Sequence, residues 1–312
     1  MSTIPVSNWN QILASLGPAF ANRAAANDGA DAFVAENYGE MQAAKLFSAL
    51  VPQELGGNGR RCSDLCAIIR RLGQFCGSTA LAFSMHQHLV ATALWNYRQG
   101  RPGEILLRTV AEGEKVLVST GAADWLSSSG VMERCEGGYR FTGNVLITSG
   151  QYTDPVAGRQ VLYFSVSMAA DRIRIAPIWE AMGMRGTGPH TIILDNVFVP
   201  EQAISLRRPC GQYHAIWNVI LTVALPLLCA VYVGIAETAA SKAREIAARK
   251  GDDGVNALVV GEMQTELTTA QIALESMIGN VNELNVEPCI EHANRVLIHK
   301  DDCGGGPQTH GR

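Results

Sequence analysis

HTIILDNVFVP, His190–Pro200, is a β-branched and aromatic run closed by a proline, the texture of a strand. It is the last of a series: KVLVS (Lys115–Ser119), GYRFTG (Gly138–Gly143), VLITS (Val145–Ser149), QVLYFSVS (Gln160–Ser167) and RIRIAPI (Arg172–Ile178), separated by Gly, Asp and Ser. No helix-length segment lies between these runs. They are therefore expected to pair as antiparallel neighbours rather than through crossover helices, giving a small β-barrel or sandwich over residues 114–208.

Outward from this block the period changes. From Trp9 to about Glu112 apolar residues recur at three and four, as in Leu65, Ile68, Ile69 and Leu72, with turn signals in LVPQELGGNG (Leu50–Gly59) and GRPG (Gly100–Gly103). From Gly211 helical texture returns: Met263, Leu267, Ala270, Leu274, Met277, Val281 and Leu284 form the apolar seam of a bundle helix. Helix, then strand, then helix predicts an α+β protein: an N-terminal helical domain over 1–113, a middle antiparallel β-domain over 114–208 and a C-terminal helical bundle over 209–312. IEHANRVLIHK (Ile290–Lys300) is stopped by two aspartates, three glycines and a proline, so the bundle is expected to be incomplete and the chain truncated relative to a full bundle.

The 312 residues suffice for a large core, and 47% hydrophobic against 17% charged residues excludes a mostly disordered chain. A net charge of −4 without a basic stripe argues against nucleic acid as a partner. The start, MSTIPVSNWNQ, has neither the basic nor the apolar region of a secretory signal, which places the expectation in the cytoplasm. Trp217–Ala236 is long enough for a bilayer span but carries Asn218, Thr222 and Pro226, and is read as the centre of a helical bundle rather than a membrane span. The eight cysteines then read as reduced thiols, with Cys62, Cys66 and Cys76 at helical spacing among core residues.

Common chemical signatures are missing: the chain contains no G-x-G-x-x-G, Walker A, H-E-x-x-H or G-x-S-x-G. Cys289, His292, His299 and Cys303 are metal-capable, but a continuous helix sets the outer two about 21 Å apart, so no metal site is assigned to the four. His86 and His88, two residues apart, do not share a helix face and read as core or cleft-wall residues. Thr120, Asp124, Thr148 and Ser149 fall at strand ends and alone are ordinary turn residues.

In their order along the chain, LVPQELGGNG, STALAFSMHQHLV, LVSTGAADW, GYRFTG, LITSG and MGMRGTGPHTIILDNVFVP resemble the acyl-CoA dehydrogenase family over roughly residues 35–300. GMRGTGPH (Gly183–His190) is equally similar to the reduced-flavin monooxygenases that share that fold. The resemblance implies an FAD protein assembled as a homodimer or homotetramer. Carried onto this chain, it implies flavin contacts from Val118, Ser119, Thr120 and Ala123, from Ile147, Thr148 and Ser149, and from Arg249 toward a neighbouring subunit.

The departures bear on chemistry. Ala123 stands where the family has Ser, and Leu146 where it has an aromatic. The β-domain is short by about a dozen residues, and an alternative alignment moves VLITSGQYTDP one strand later, which removes Thr148 and Ser149 from the flavin. The family's dehydrogenases abstract an acyl α-proton with a Glu. One of its two usual places lies beyond this chain's end, and the other reads Val223, Ala224, Leu225, Pro226. Glu237 is about 15 Å away along the helix and reads as a solvated or capping charge, so no catalytic residue is assigned.

Three readings follow. The first is an acyl-CoA dehydrogenase-like enzyme, weak or inactive, acting on an acyl-CoA or other small molecule with an electron-transfer flavoprotein as partner. The second is a monooxygenase-like relative served by a flavin reductase, with His190 either structural or near the flavin edge. The third is a non-catalytic truncated family member.

Overall fold

The computed structural model describes residues 6–118, 125–145, 149–176, 181–188, 190–250 and 254–298; for 6–8, 144, 145 and 250 it describes the backbone alone. By contacts the chain forms two compact units, Met1–Leu117 with Gly183–Thr187 and Asn218–Arg312, and Val118–Met182 with Gly188–Trp217.

The first unit is helical: α1 (Val6–Gly29), α2 (Ala35–Ala43), α3 (Cys62–Phe75), α4 (Gly77–Arg98), α5 (Glu104–Gly113), α6 (Ile216–Lys250, in this unit from Asn218), α7 (Gly254–Val281) and α8 (Ile290–Leu297). The three-four spacing of α3 buries Leu65, Ile68, Ile69 and Leu72 together with Cys62 and Cys66. A hydrogen bond with Cys62 and burial both push the Cys66 thiol up, so this pair is inert core rather than a reactive site.

Two glycines let α3 and α6 touch backbone to backbone. A Cβ on Gly73 would lie 2.6 Å from the Val231 carbonyl oxygen, and one on Gly234 would lie 2.0 Å from that of Arg70. The α6 helix is apolar and long enough to cross a membrane, yet 56% of its apolar window is buried within the protein, as a bundle core requires. On α7 the expected seam is buried at Leu267, Ala270, Leu274, Met277 and Val281, whereas Leu284 is buried from the short turn Asn282–Leu284 that follows the helix.

The second unit is one seven-stranded sheet of β1 (Val131–Cys135), β2 (Gly138–Val145), β3 (Ser149–Asp154), β4 (Gly158–Phe164), β5 (Ile173–Ala176), β6 (Thr191–Pro200) and β7 (Ile204–Pro209), in the order β5-β6-β2-β1-β3-β4-β7. The expected α+β layout holds, but the closed barrel does not: β5 and β7 are the two edges of an open sheet. The pairing is also mixed, because β1 and β3 run parallel through Val131 and Gln151. A further correction concerns KVLVS, whose residues 115–118 lie in no strand. VLITS is likewise split, with Val145 ending β2 and Ser149 opening β3.

The sheet core is Met132, Tyr139, Phe141, Leu162, Phe164, Leu194, Val197 and Val199. Gly130, Gly143 and Gly150 converge on Phe141: a Cβ at any of them would come within 3 Å of its ring. The ring occupies the volume that three side chains would otherwise need.

Candidate active site

The resemblance puts the site at 118–124 and 147–149. Val118 is exposed, while Ser119, Thr120, Ala123, Ile147 and Thr148 lie outside the described residues. What the structure does describe is how the residues flanking both stretches are bonded. Ahead of the first, the Leu117 N–H donates to His86 Nδ1 at 2.9 Å, and His86 Nε2 lies 2.9 Å from the Phe47 carbonyl oxygen. A donor on one side and an acceptor on the other select the neutral Nε2–H tautomer.

Burial pushes the His86 pKa down to about 4, partly opposed by the bond to Phe47 and assisted by His88. His88 is likewise pushed down to about 4 by burial. Both are core residues, one of the two roles their spacing allowed.

Behind the first stretch, Ser128 Oγ donates to the Ser149 carbonyl oxygen at 2.7 Å, and the Gln151 N–H donates to the Gly130 oxygen at 2.7 Å. The segment leaving 118–124 is thus bonded to the strand that opens at Ser149. Ser149 itself is buried and pairs with Tyr163 of β4.

Trp125 directly follows Asp124, and its indole stacks on Trp217 with centroids 5.8 Å apart and planes 11° from parallel. Tyr213 lies against the same Trp125 ring, and Tyr163 meets Trp217 edge-on. Arg208, 2% exposed, ties this group together through the Leu126 oxygen at 2.8 Å, the Gln212 oxygen at 3.0 Å and the Tyr163 hydroxyl at 2.8 Å. Sequence reasoning missed these residues. The two arginines of LRRP, Leu206–Pro209, look alike, and which of them turns inward is set by the β4–β7 register, where Arg208 faces Val161.

His190 has its N–H on the Gly188 oxygen at 2.8 Å and its Nδ1 buried with no hydrogen-bond partner among the described residues. Arg185 of the same motif is fully engaged. It binds the Asp28 and Gly29 carbonyl oxygens, at 2.7 and 3.2 Å, and the Asp31 carboxylate at 2.9 Å, locking the end of α1.

Glu237 is neither solvated nor a cap. Its carboxylate accepts from Arg70, from Gln74 Nε2 at 2.6 Å and from Gln271 Nε2 at 2.6 Å, joining α3, α6 and α7. Burial alone would raise its pKa, but these donors outweigh burial and hold it below the usual value. Val223 is fully buried, and Arg249 is exposed near the end of α6.

The family profile described as acyl-CoA dehydrogenase, N-terminal domain, matches residues 18–114, the helices that carry the His86 clamp. Over these residues the chain is similar to the acyl-CoA dehydrogenase family. It is 26% identical over 301 residues to the L-evernosamine nitrososynthase of a Micromonospora strain, covering 88% of this chain and 70% of the relative. It is also 26% identical over 250 residues to the amino sugar nitrososynthase RubN8 of Streptomyces rubradiris, covering 75% of this chain and 59% of the relative. The solved structure of KijD3 in complex with FMN and a dTDP-linked 3-amino sugar superposes with a TM-score of 0.80 at 22% identity, covering 97% of this chain and 80% of that one, and shares the fold.

Proposed function

We propose that this chain is a reduced-flavin-dependent monooxygenase-like member of its family, acting on a small molecule, with amino sugars the first class to test. This reading replaces acyl-CoA oxidation as the leading one. The observation that carries it is the engagement of Glu237: the carboxylate nearest to the vacant acid position is held ionised by three donors, and Val223 fills that position with buried hydrocarbon. An oxygenase needs no base for an acyl α-proton. The relatives support the same direction, since they are named for nitrogen oxidation of amino sugars.

Two observations support a flavin here: His190 Nδ1 is a buried polar atom with no partner among the described residues, and the residues flanking 119–124 and 146–148 are tied down by hydrogen bonds at Leu117, Ser128 and Ser149. In this reading Val118, Ser119, Thr120, Ala123, Ile147, Thr148 and Ser149 hold the flavin, and Arg249 reaches that of a neighbouring subunit in a homo-oligomer. Reduced flavin, when bound, supplies the electrons with which one atom of O₂ enters the substrate and the other leaves as water. His190 orients a polar group of flavin or substrate through Nδ1, while His86 holds the backbone at Leu117. A flavin reductase regenerates the reductant, and acid release followed by chromatography identifies the nucleotide as FMN or FAD.

The test combines purified chain, flavin, NAD(P)H, a reductase and O₂ with a panel of dTDP-amino sugars and phenols. Oxygen incorporation that needs every component is expected. Anaerobic bleaching of bound flavin by acyl-CoA esters, without oxygenation, would overturn the reading.

A further inference from the structure

We propose that Glu287, Cys289 and His292 form a binding site for one borderline-soft divalent cation, best matched by Zn²⁺, with the fourth position open to water. Two of the four metal-capable residues read from the sequence take part; His299 and Cys303 lie outside the described residues. The partner that the sequence pattern did not suggest is Glu287, two residues before Cys289.

The donor atoms of the three residues all lie within 4.8 Å of one another, and Cys289 Sγ is 3.4 Å from His292 Nδ1. Metal–sulfur and metal–nitrogen bonds of about 2.3 and 2.1 Å at a tetrahedral angle set those two atoms about 3.6 Å apart, so the pair already stands at ligand spacing. Glu287 is exposed and free to bring its carboxylate the remaining distance. Sulfur, imidazole and carboxylate together favour zinc over calcium or magnesium, which prefer all-oxygen sites.

The local backbone produces this spacing. Cys289 is the N-cap of α8, and His292 follows three residues later, so its side chain leans back over the cap. The Cys289 N–H donates to the Glu287 oxygen at 2.8 Å, a tight turn that doubles Glu287 back beside the thiol.

The turn is also anchored from the core. Buried Trp95 donates from Nε1 to the Val286 oxygen at 3.0 Å, and Asn218 donates to the Pro288 oxygen at 3.4 Å. A loop held from below loses little further freedom when its side chains gather on an ion. Binding displaces the thiol proton of Cys289 to solvent.

The experiment uses the reduced full chain, freed of metal with a chelator and titrated with Zn²⁺ against a chromophoric competitor. Co²⁺ then serves as a spectroscopic probe. The expected result is one equivalent of Zn²⁺ bound at micromolar or tighter affinity and a thiolate-to-cobalt charge-transfer band. Cys289→Ser should abolish the band, and His292→Gln should weaken binding at least tenfold. Cys135→Ser, on the sheet, should change neither. Absence of stoichiometric binding overturns the proposal, as does a cobalt band that survives Cys289→Ser. Loss of binding in His292→Gln counts in its favour only with an unchanged circular dichroism melt before metal is added, and retention of full affinity in that variant overturns it.

Discussion

The two units bury different kinds of polar side chain. The helical unit pairs Glu237 with Arg70, Gln74 and Gln271, Arg185 with the end of α1, and Asn37 with Arg23 at 2.9 Å and Thr79 at 2.7 Å, and it encloses the imidazoles of His86 and His88, while Trp9 Nε1 and Gln87 Oε1 are buried without a partner among the described residues. In the sheet unit Arg208 is matched as fully, but His190 Nδ1 and Trp217 Nε1 are buried without a partner among the described residues. Unmatched buried polar atoms cost about 1–3 kcal/mol each. The proposed function gives one of these atoms, His190 Nδ1, a ligand-facing role, whereas a matched charge such as Glu237 is architecture.

The largest test of that contrast is pH. His86 and His88 are held neutral in the fold, with pKa values near 4 against an ordinary 6.5. The unfolded chain therefore binds more protons between those values, so the stabilisation is present above pH 6.5 and is lost as pH falls toward 4. The loss amounts to on the order of 3 kcal/mol per imidazole. Hydrogen exchange should show α4 losing protection on acidification ahead of β2 and β6, and equal loss in both units would break the contrast.

Next in size is Gly234→Val, which drives a side chain into the Arg70 carbonyl and should destabilise the helical unit by about 3 kcal/mol or more, read as a lowered melting temperature. His190→Ala should act oppositely, with stability within about 0.5 kcal/mol of the parent but oxygenation reduced about 10–100-fold. A variant that melts early with activity per folded molecule intact would make His190 structural. The smallest effect is expected for Glu237→Gln. Its carboxylate is 15% exposed and paired, so the loss should be about 1–2 kcal/mol, with turnover of the folded enzyme unchanged. Loss of activity without loss of stability would return Glu237 to the catalytic question.

The helices were legible because each buries one stripe, and the stripe is written every three or four residues, as on α3 and α7. Strand texture was legible from runs of β-branched and aromatic residues set between Gly, Asp and Ser. The closure of the sheet was not, because no residue pattern says whether Ile173–Ala176 and Ile204–Pro209 meet each other or remain edges. Nor was the β1–β3 parallel contact, which depends on where the chain returns after β2. KVLVS has strand composition, yet the neighbour of Leu117 in the fold is an imidazole rather than another strand.

By itself, the amino-acid sequence determined the succession of helical and extended segments, the family likeness and the lack of an acid at Val223–Pro226, since composition, period and residue identity need no third dimension. Tertiary structure alone decided which polar groups meet. Arg70, Glu237 and Gln271 come from three helices, and Ser128 and Ser149 from two separate segments, joined by packing that acts between elements remote in the chain. A side chain's charge state and role depend on those neighbours, and so the difference between a locked carboxylate and an enclosed neutral imidazole appears only when the chain is folded.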